Sequence, residues 1–213
     1  VKHLFPGATI GILGGGQLAR MTALEAKRMG YRVRVSDPDP NGSAAQVADA
    51  CVPGAFDDAE AATTLAKQCD VLTLDTEHIP AELLRNLEAL TPVYPGANVL
   101  GVVQDRGTQR DFLRRIGAPQ PRNALVTDTA SLAAAGDLTG FPAVLKTTRA
   151  GYDGKGQVRV ERAEDLGPAW ESLSKHPAVL EEFVTFEREV SVLLARDLVG
   201  NVVFYPMAEN LHR

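Results

Sequence analysis

Cysteine is scarce in this 213-residue chain. Cys51 and Cys69 are its two, with no CxxC pair and no histidine cluster nearby, which gives neither a zinc site nor a disulfide framework and fits a reducing cytoplasm. Positive charge is not in surplus either. The 22 Lys and Arg against 27 Asp and Glu leave a net charge of -5 and a pI near 5.4, which argues against nucleic acid as a partner while leaving room for a local basic pocket. No apolar run is long enough to span a bilayer, and the first residues lack an export signal, so neither a membrane nor secretion is expected. Nor is there a Ser/His/Asp or Cys/His arrangement for nucleophilic catalysis, an internal repeat or a low-complexity tract. What is there is an ordinary globular composition, 45% hydrophobic and 23% charged, enough for one large domain or two small ones.

The periodicities predict an α/β fold. Residues 8–13 (ATIGIL) read as a buried strand, 17–29 as a helix with Leu18, Met21, Leu24 and Ala26 on its apolar side, and 31–36 as a second strand ending before two prolines. Helices at 59–68 and 81–90 flank a strand at 70–74, so residues 1–100 read as a doubly wound parallel sheet. A charged helix at 104–116 and the linker GAPQP place a boundary over 101–122. Strands at 143–147 and 157–161 enclose a glycine-rich turn, a helix follows at 163–174 and a strand at 178–183, and 123–180 is expected to be one small lobe. Residues 181–213 begin another, with 189–195 and 202–207 as an antiparallel pair; the alanine-rich patch at 130–135 reads as a helix start.

Three stretches carry candidate chemistry. GILGGGQLAR matches G-x-G-x-x-A at Gly14, Gly16 and Ala19, with Asp37 at the end of the second strand. This pattern suits the pyrophosphate of NAD, a plain phosphate on a helix N-terminus, or a turn that only packs strand on helix. The second stretch, KTTRAGYDGKGQ, sets Gly151, Gly154 and Gly156 between two strands after Lys146, a loop able to fold its amides over a polyphosphate. An unliganded hairpin with Lys146 snorkelling from an edge strand is the alternative. The third, VLEEFV followed by EREVS, suits a hinge whose backbone reads an adenine edge; Glu182 and Glu187 serve equally well as solvated charges at a strand end.

The succession GILGGGQLARM, DTEHIP, LKTTRAGYDGKGQ, LEEFVTFEREVSVL and VVFYPMAENLH resembles the ATP-grasp carboxylase-ligases of purine synthesis over nearly the whole chain. The resemblance implies a Rossmann-like preATP-grasp domain that binds no NAD, followed by an incomplete ATP-grasp α+β region. It implies ATP-dependent carboxylation of 5-aminoimidazole ribonucleotide by bicarbonate, with Mg2+ as cofactor, in a homodimer. Lys146 would be a triphosphate ligand and Gly151 to Gln157 the lid. Glu181, Glu182, Phe183 and Val184 would form the adenine hinge, Glu189 would hold the ribose, and Arg106 and His212 would line the nucleotide site. Gly16, Gln17, Leu18 and Glu77 would face the phosphoribosyl substrate, and Tyr152, Asp153 and Lys155, counted with Lys146 as catalytic, would sit where nucleotide and aminoimidazole meet.

Asp75 stands where that family usually carries a glutamate. Its metal-binding carboxylate and asparagine would follow Arg213, so no metal ligand is assigned and the isolated 213 residues are expected to be inactive or nearly so. Rival expectations are an NAD-dependent oxidoreductase, a noncatalytic nucleotide-binding module, and an ATP-grasp relative such as a formate-dependent glycinamide ribonucleotide transformylase or a biotin carboxylase. Phosphoryl transfer needs positioned charge rather than a side-chain nucleophile, which agrees with the motifs present.

Overall fold

The structure, a computed structural model, describes residues 3–149 and 156–211. In chain order the elements of the first half are β1 (Thr9–Leu13), α1 (Gln17–Arg28), β2 (Arg32–Asp37), β3 (Ala50–Pro53), α2 (Ala59–Ala66), β4 (Val71–Leu74), α3 (Ala81–Glu88), α4 (Ala97–Val103) and α5 (Arg106–Arg115). The second half holds β5 (Asn123–Val126), α6 (Thr129–Thr139), β6 (Ala143–Thr147), β7 (Gln157–Val160), α7 (Leu166–Ser172), β8 (Ala178–Glu182), β9 (Glu189–Ser191), β10 (Leu194–Arg196), β11 (Val202–Phe204) and β12 (Ala208–Asn210).

The first four strands form a parallel sheet in the order β3-β2-β1-β4. Successive side chains of a strand point to opposite faces, so Ile12 joins Val33, Val35 and the buried side of α1 while Leu13 joins Leu72 and the helices α2, α3 and α4. The chain leaves β1 toward β2 and β3 and returns on its other side as β4. The resulting switch point between β1 and β4 is where open α/β sheets place ligands, beyond the carboxyl ends of the strands.

The apolar side expected for α1 holds at Ala26 and is reversed at Leu18, Met21 and Leu24. Its buried residues are Ala19, Ala23 and Ala26, whereas Leu18, Met21 and Leu24 are exposed. Spacing of four and three puts the alanines on one face, and their small size lets the helix lie close to the sheet. Bulk was the wrong guide and period the right one. The helix expected over 104–116 is α5, which begins where extended Asp105 caps it by accepting from the Thr108 amide at 3.1 Å, and α4 is a separate helix before it. The alanine-rich patch is part of an eleven-residue helix, α6, begun by a capping box between Asp128 and Ser131.

The second sheet is antiparallel, in the order β5-β8-β6-β7. Ala143, Leu145, Ala178 and Leu180 turn to one face and pack on α6 and α7 around Trp170. The expected pair at 189–195 and 202–207 is antiparallel but interrupted: β9 pairs with β12 and β10 with β11. Among the described residues no helix is long and apolar enough to cross a membrane.

Candidate functional site

Lys146 and Glu181 lie on the face of the second sheet opposite its core. Val144 stands directly across from Glu181 on β8, and Lys146 is two residues further along β6, which makes it a diagonal neighbour on the same face. Glu181 is only 3% exposed. One of its oxygens, Oε2, accepts from Lys146 Nζ at 2.8 Å; the other, Oε1, accepts from Arg110 Nε at 2.7 Å, with Arg110 Nη2 in ion-pair contact at 2.6 Å. A buried carboxylate is thereby fully partnered, as burial of a charge requires. The edge-strand alternative for Lys146 falls, since β6 lies inside the sheet.

These side chains line a groove of about 280 Å³ together with Val144, Glu182, Phe183, Val184 and Phe186. Two hinge amides are already used: Glu182 N donates to the Arg122 carbonyl at 2.9 Å and Phe183 N to the Pro142 carbonyl at 3.1 Å. The Val184 amide, by contrast, has no protein acceptor among the described residues. The Glu182 carboxylate turns toward Arg122, whose guanidinium and backbone amide hold it below the usual carboxylate range. The Arg159 guanidinium lies 4.2 Å over the Phe183 ring at the end of the groove.

The other nucleotide candidates are spread around this groove. Arg106 reaches the end of β6, donating from Nη1 to the Thr147 carbonyl at 2.6 Å and from its amide to the Thr148 carbonyl at 2.8 Å. Gly156 follows the undescribed stretch with φ +69°, its carbonyl accepting from the Thr147 amide, and Gln157 pairs across from Lys146 on β7. Glu189 is on β9, outside the groove lining, and accepts from Asn210 Nδ2 at 2.9 Å. Gly151, Tyr152, Asp153, Gly154, Lys155 and His212 lie outside the described residues.

At the first glycine cluster the backbone does turn tightly, with Gly14 at φ +95°, yet its amides face carboxylates. Gly15 N donates to Asp37 Oδ2 at 2.7 Å, Gly16 N to Asp75 Oδ2 at 2.7 Å and Ala19 N to Asp75 Oδ1 at 2.8 Å. A Cβ on Gly15 would stand 2.8 Å from the Asp37 Cβ, and one on Gly16 would stand 2.7 Å from Asp75 Oδ2. Close approach of these acids is therefore reason enough for glycine at both positions. Gln17 and Leu18 supply the first-turn amides that have no protein acceptor among the described residues, and the Gln17 side-chain oxygen accepts from Ser43 Oγ at 3.0 Å.

Across the switch point, Glu77 lines a cleft of about 420 Å³ with His78, Gln104 and Arg149. Gln104 Nε2 ties this turn down by donating to the carbonyls of Glu77 and Ile79. A larger cavity, about 680 Å³, lies between α5, β5 and the end of β6. Among the described residues its lining holds the carboxylates Asp105 and Asp111 with Arg149, whereas the smaller groove sets Arg110 and Lys146 together.

Sequence reading passed over Arg110. The signal for it was present: Arg106, Arg110 and Arg114 recur every four residues, which places three guanidinium groups on one face of α5. Each reaches toward the second sheet, Arg114 through Nη2 to the Asn123 side-chain oxygen at 3.2 Å.

Comparison with known proteins adds a consistent picture. Residues 7–104 match the ribonucleotide synthetase preATP-grasp domain and residues 111–213 the ATP-grasp domain. The N5-carboxyaminoimidazole ribonucleotide synthase of Brucella melitensis is 43% identical over 212 residues, covering 99% of this chain and 59% of the relative. A Staphylococcus aureus N5-carboxyaminoimidazole synthetase solved with ADP superposes with a TM-score of 0.96 at 34% identity, over 100% of this chain and 57% of that one. An Aspergillus clavatus N5-carboxyaminoimidazole synthase solved with ADP and 5-aminoimidazole ribonucleotide gives 0.89 at 30% identity, over 99% of this chain and 55% of that one. The chain thus spans a little over half the length of these relatives.

Proposed function

Because this chain belongs to the N5-carboxyaminoimidazole ribonucleotide synthase family of ATP-grasp proteins, we propose that it forms the preATP-grasp part and the first ATP-grasp part of an enzyme that carboxylates 5-aminoimidazole ribonucleotide. Bicarbonate oxygen attacks the γ-phosphorus of ATP, the bond to the bridging oxygen breaks, and ADP and carboxyphosphate result. The exocyclic amine then attacks the carboxyl carbon, inorganic phosphate leaves, and the amine proton is lost to give the carbamate.

The observation that carries this reading is the groove at Lys146 and Glu181 to Val184, within a fold that matches an ADP-bound relative at a TM-score of 0.96. In it the Lys146 ammonium meets phosphate oxygens, the Val184 amide and the neighbouring hinge carbonyls read the adenine edge, and the residues from Gly151 to Gln157 close over the phosphates. Glu189, Arg106 and His212 complete the nucleotide site. The phosphoribosyl substrate takes the switch point, near the free amides of Gln17 and Leu18, with Glu77 opposite and Tyr152, Asp153 and Lys155 between the two ligands. Gly16 shapes this turn while its own amide stays with Asp75.

Among the described residues no group of three or more His, Cys, Asp or Glu side chains fits a metal ion, so no step is assigned to Mg2+. A homodimer and a cytoplasmic setting go with the same reading. An NAD enzyme is a poorer fit, because the glycine-loop amides a pyrophosphate would need are held by Asp37 and Asp75. Calorimetric titration of the chain with ATP and with NADH tests the reading: ATP binding with no NADH binding is expected, and the reverse overturns it. For turnover, the 213-residue chain alone is expected to release phosphate far more slowly than a chain extended to the relatives' length.

A further inference from the structure

On the groove side of the second sheet three ionised groups are joined directly, the two cations Arg110 and Lys146 to the one carboxylate Glu181. Glu181 is buried, while the side chains of Arg110 and Lys146 are 20% and 27% exposed. Its two oxygens are divided between them, Oε1 to the guanidinium of α5 and Oε2 to the ammonium of β6. A carboxylate with Lys146 as its sole partner would be free to rotate and to take both oxygens to the lysine, neutralising it one for one. The Arg110 guanidinium on Oε1, hydrogen-bonded through Nε and in ion-pair contact through Nη2, prevents that.

Resting on the nucleotide reading above, we propose that Arg110 is the positioning residue of this groove: by holding Oε1 of Glu181 it fixes Oε2, and through it the Lys146 ammonium, and leaves the cluster one positive charge in excess for an incoming polyphosphate. Arg110 does not line up with Lys146 by chance of local folding. It lies 71 residues from Glu181 in sequence and reaches it because α5 packs on β5 and β8, with Arg106 one turn earlier on the Thr147 carbonyl and Arg114 one turn later on Asn123. The Arg110 carbonyl accepts from Gln120 Nε2 at 3.1 Å, which secures the middle of the helix as well. The arrangement addresses phosphate, not adenine, so its loss falls on one part of the ligand.

The test uses the chain extended to the relatives' length, with Arg110→Met and Arg110→Lys compared with the parent by titration with ATP and with adenosine. Thermal melting first establishes that each variant folds. Arg110→Met is expected to weaken ATP at least tenfold and adenosine less than threefold; Arg110→Lys, which keeps the charge but loses the planar guanidinium, is expected to recover part of the ATP loss. Equal loss of both ligands, or no loss of either, overturns the proposal. Detection of lysine side-chain ammonium protons by NMR, with Lys146→Met for assignment, reads the same positioning without any nucleotide. A slowly exchanging Lys146 signal in the parent is expected to change its chemical shift in Arg110→Met as the freed carboxylate pairs anew with the ammonium, and an unchanged signal in Arg110→Met overturns the proposal. A parent that binds no ATP yet shows this NMR difference would sink the nucleotide reading and the ATP-recruiting role of the charge, while the positioning of Lys146 by Arg110 would stand.

Discussion

Asp75, at the end of β4, places one carboxylate oxygen 2.7 Å from the amide of Gly16 and the other 2.8 Å from that of Ala19, and so caps α1 from across the sheet. Helix N-termini attract anions because their first amides lack partners within the helix. Here a side chain of the protein has met part of that demand before any ligand arrives. The motif that most resembles a dinucleotide fingerprint is thus partly self-satisfied, and what it has left to offer is confined to Gln17 and Leu18.

Removing this cap should cost stability. Asp75→Ala is expected to lower the folding free energy by about 1 kcal/mol, the usual scale for loss of an N-terminal cap, with the urea midpoint falling and the m-value unchanged. Asp75→Asn, whose side-chain oxygen still accepts one bond, should lose less. An unchanged midpoint in Asp75→Ala would show that the carboxylate contributes nothing to holding α1.

Gly54 is a sharper structural constraint. A Cβ there would stand 2.3 Å from the Cβ of Ala61, which is fixed to the first turn of α2 and has no rotamer by which to retreat. That turn is itself pinned by Asp58, which accepts from the amides of Glu60 and Ala61. Gly54→Ala is expected to push α2 off the sheet and cost about 1–3 kcal/mol, the range for overpacking. Chemical denaturation monitored by circular dichroism measures it.

Asp49 ties α1 to β2, accepting from Lys27 Nζ at 2.6 Å and from the Val33 amide at 2.7 Å. The Lys27 hydrogen bond, with the Val33 amide second, holds its carboxyl below the ordinary value of 3.8. A carboxyl whose pKa is lower in the folded than in the unfolded chain stabilises the fold above the unfolded value, and that contribution is lost as the pH falls through the folded one. Asp49→Asn should therefore be less stable than the parent at neutral pH, with the gap closing below pH 3.8. Urea midpoints measured on both sides of that pH decide it; a gap that widens on acidification would reverse the sign.

The parts of the fold that were legible were those governed by local pattern. β1, α1 and β2 show alternation, a helical period and a glycine turn in immediate succession, and the hairpin of β6 and β7 is announced by its glycines. β3 was not legible, since three half-buried residues followed by exposed Pro53 carry no alternation. Nor was α4, a short helix with Gly101 and three valines, all poor helix formers. In the candidate site, Lys146 stood out as a cation closing an apolar strand, but its counter-ion did not, because the pairing with Glu181 spans 35 residues and depends on strand register. Long-range ion pairs of that kind leave no spacing to read. The arginine stripe of α5 did leave one, and it was the charge on a helix already expected to be amphipathic that concealed it.

Lys146→Met separates binding from stability at this groove. Truncating one partner of a buried ion pair is usually damaging because the other charge is left alone. Glu181 would not be left alone: the Arg110 guanidinium still holds Oε1, and the methionine occupies much of the volume of the lysine stem. Stability should therefore change by less than about 1 kcal/mol, within the range of volume-conserving swaps. Nucleotide binding has no such reserve, since a charge-assisted hydrogen bond contributes about 1.5–3 kcal/mol, or roughly 10- to 150-fold in affinity. Melting curves that overlay within a few degrees, together with ATP affinity reduced by at least tenfold in calorimetry, are the expected pair of results. A variant that unfolds would mean that Lys146 serves the fold, and one that binds ATP like the parent would remove it from the phosphate site.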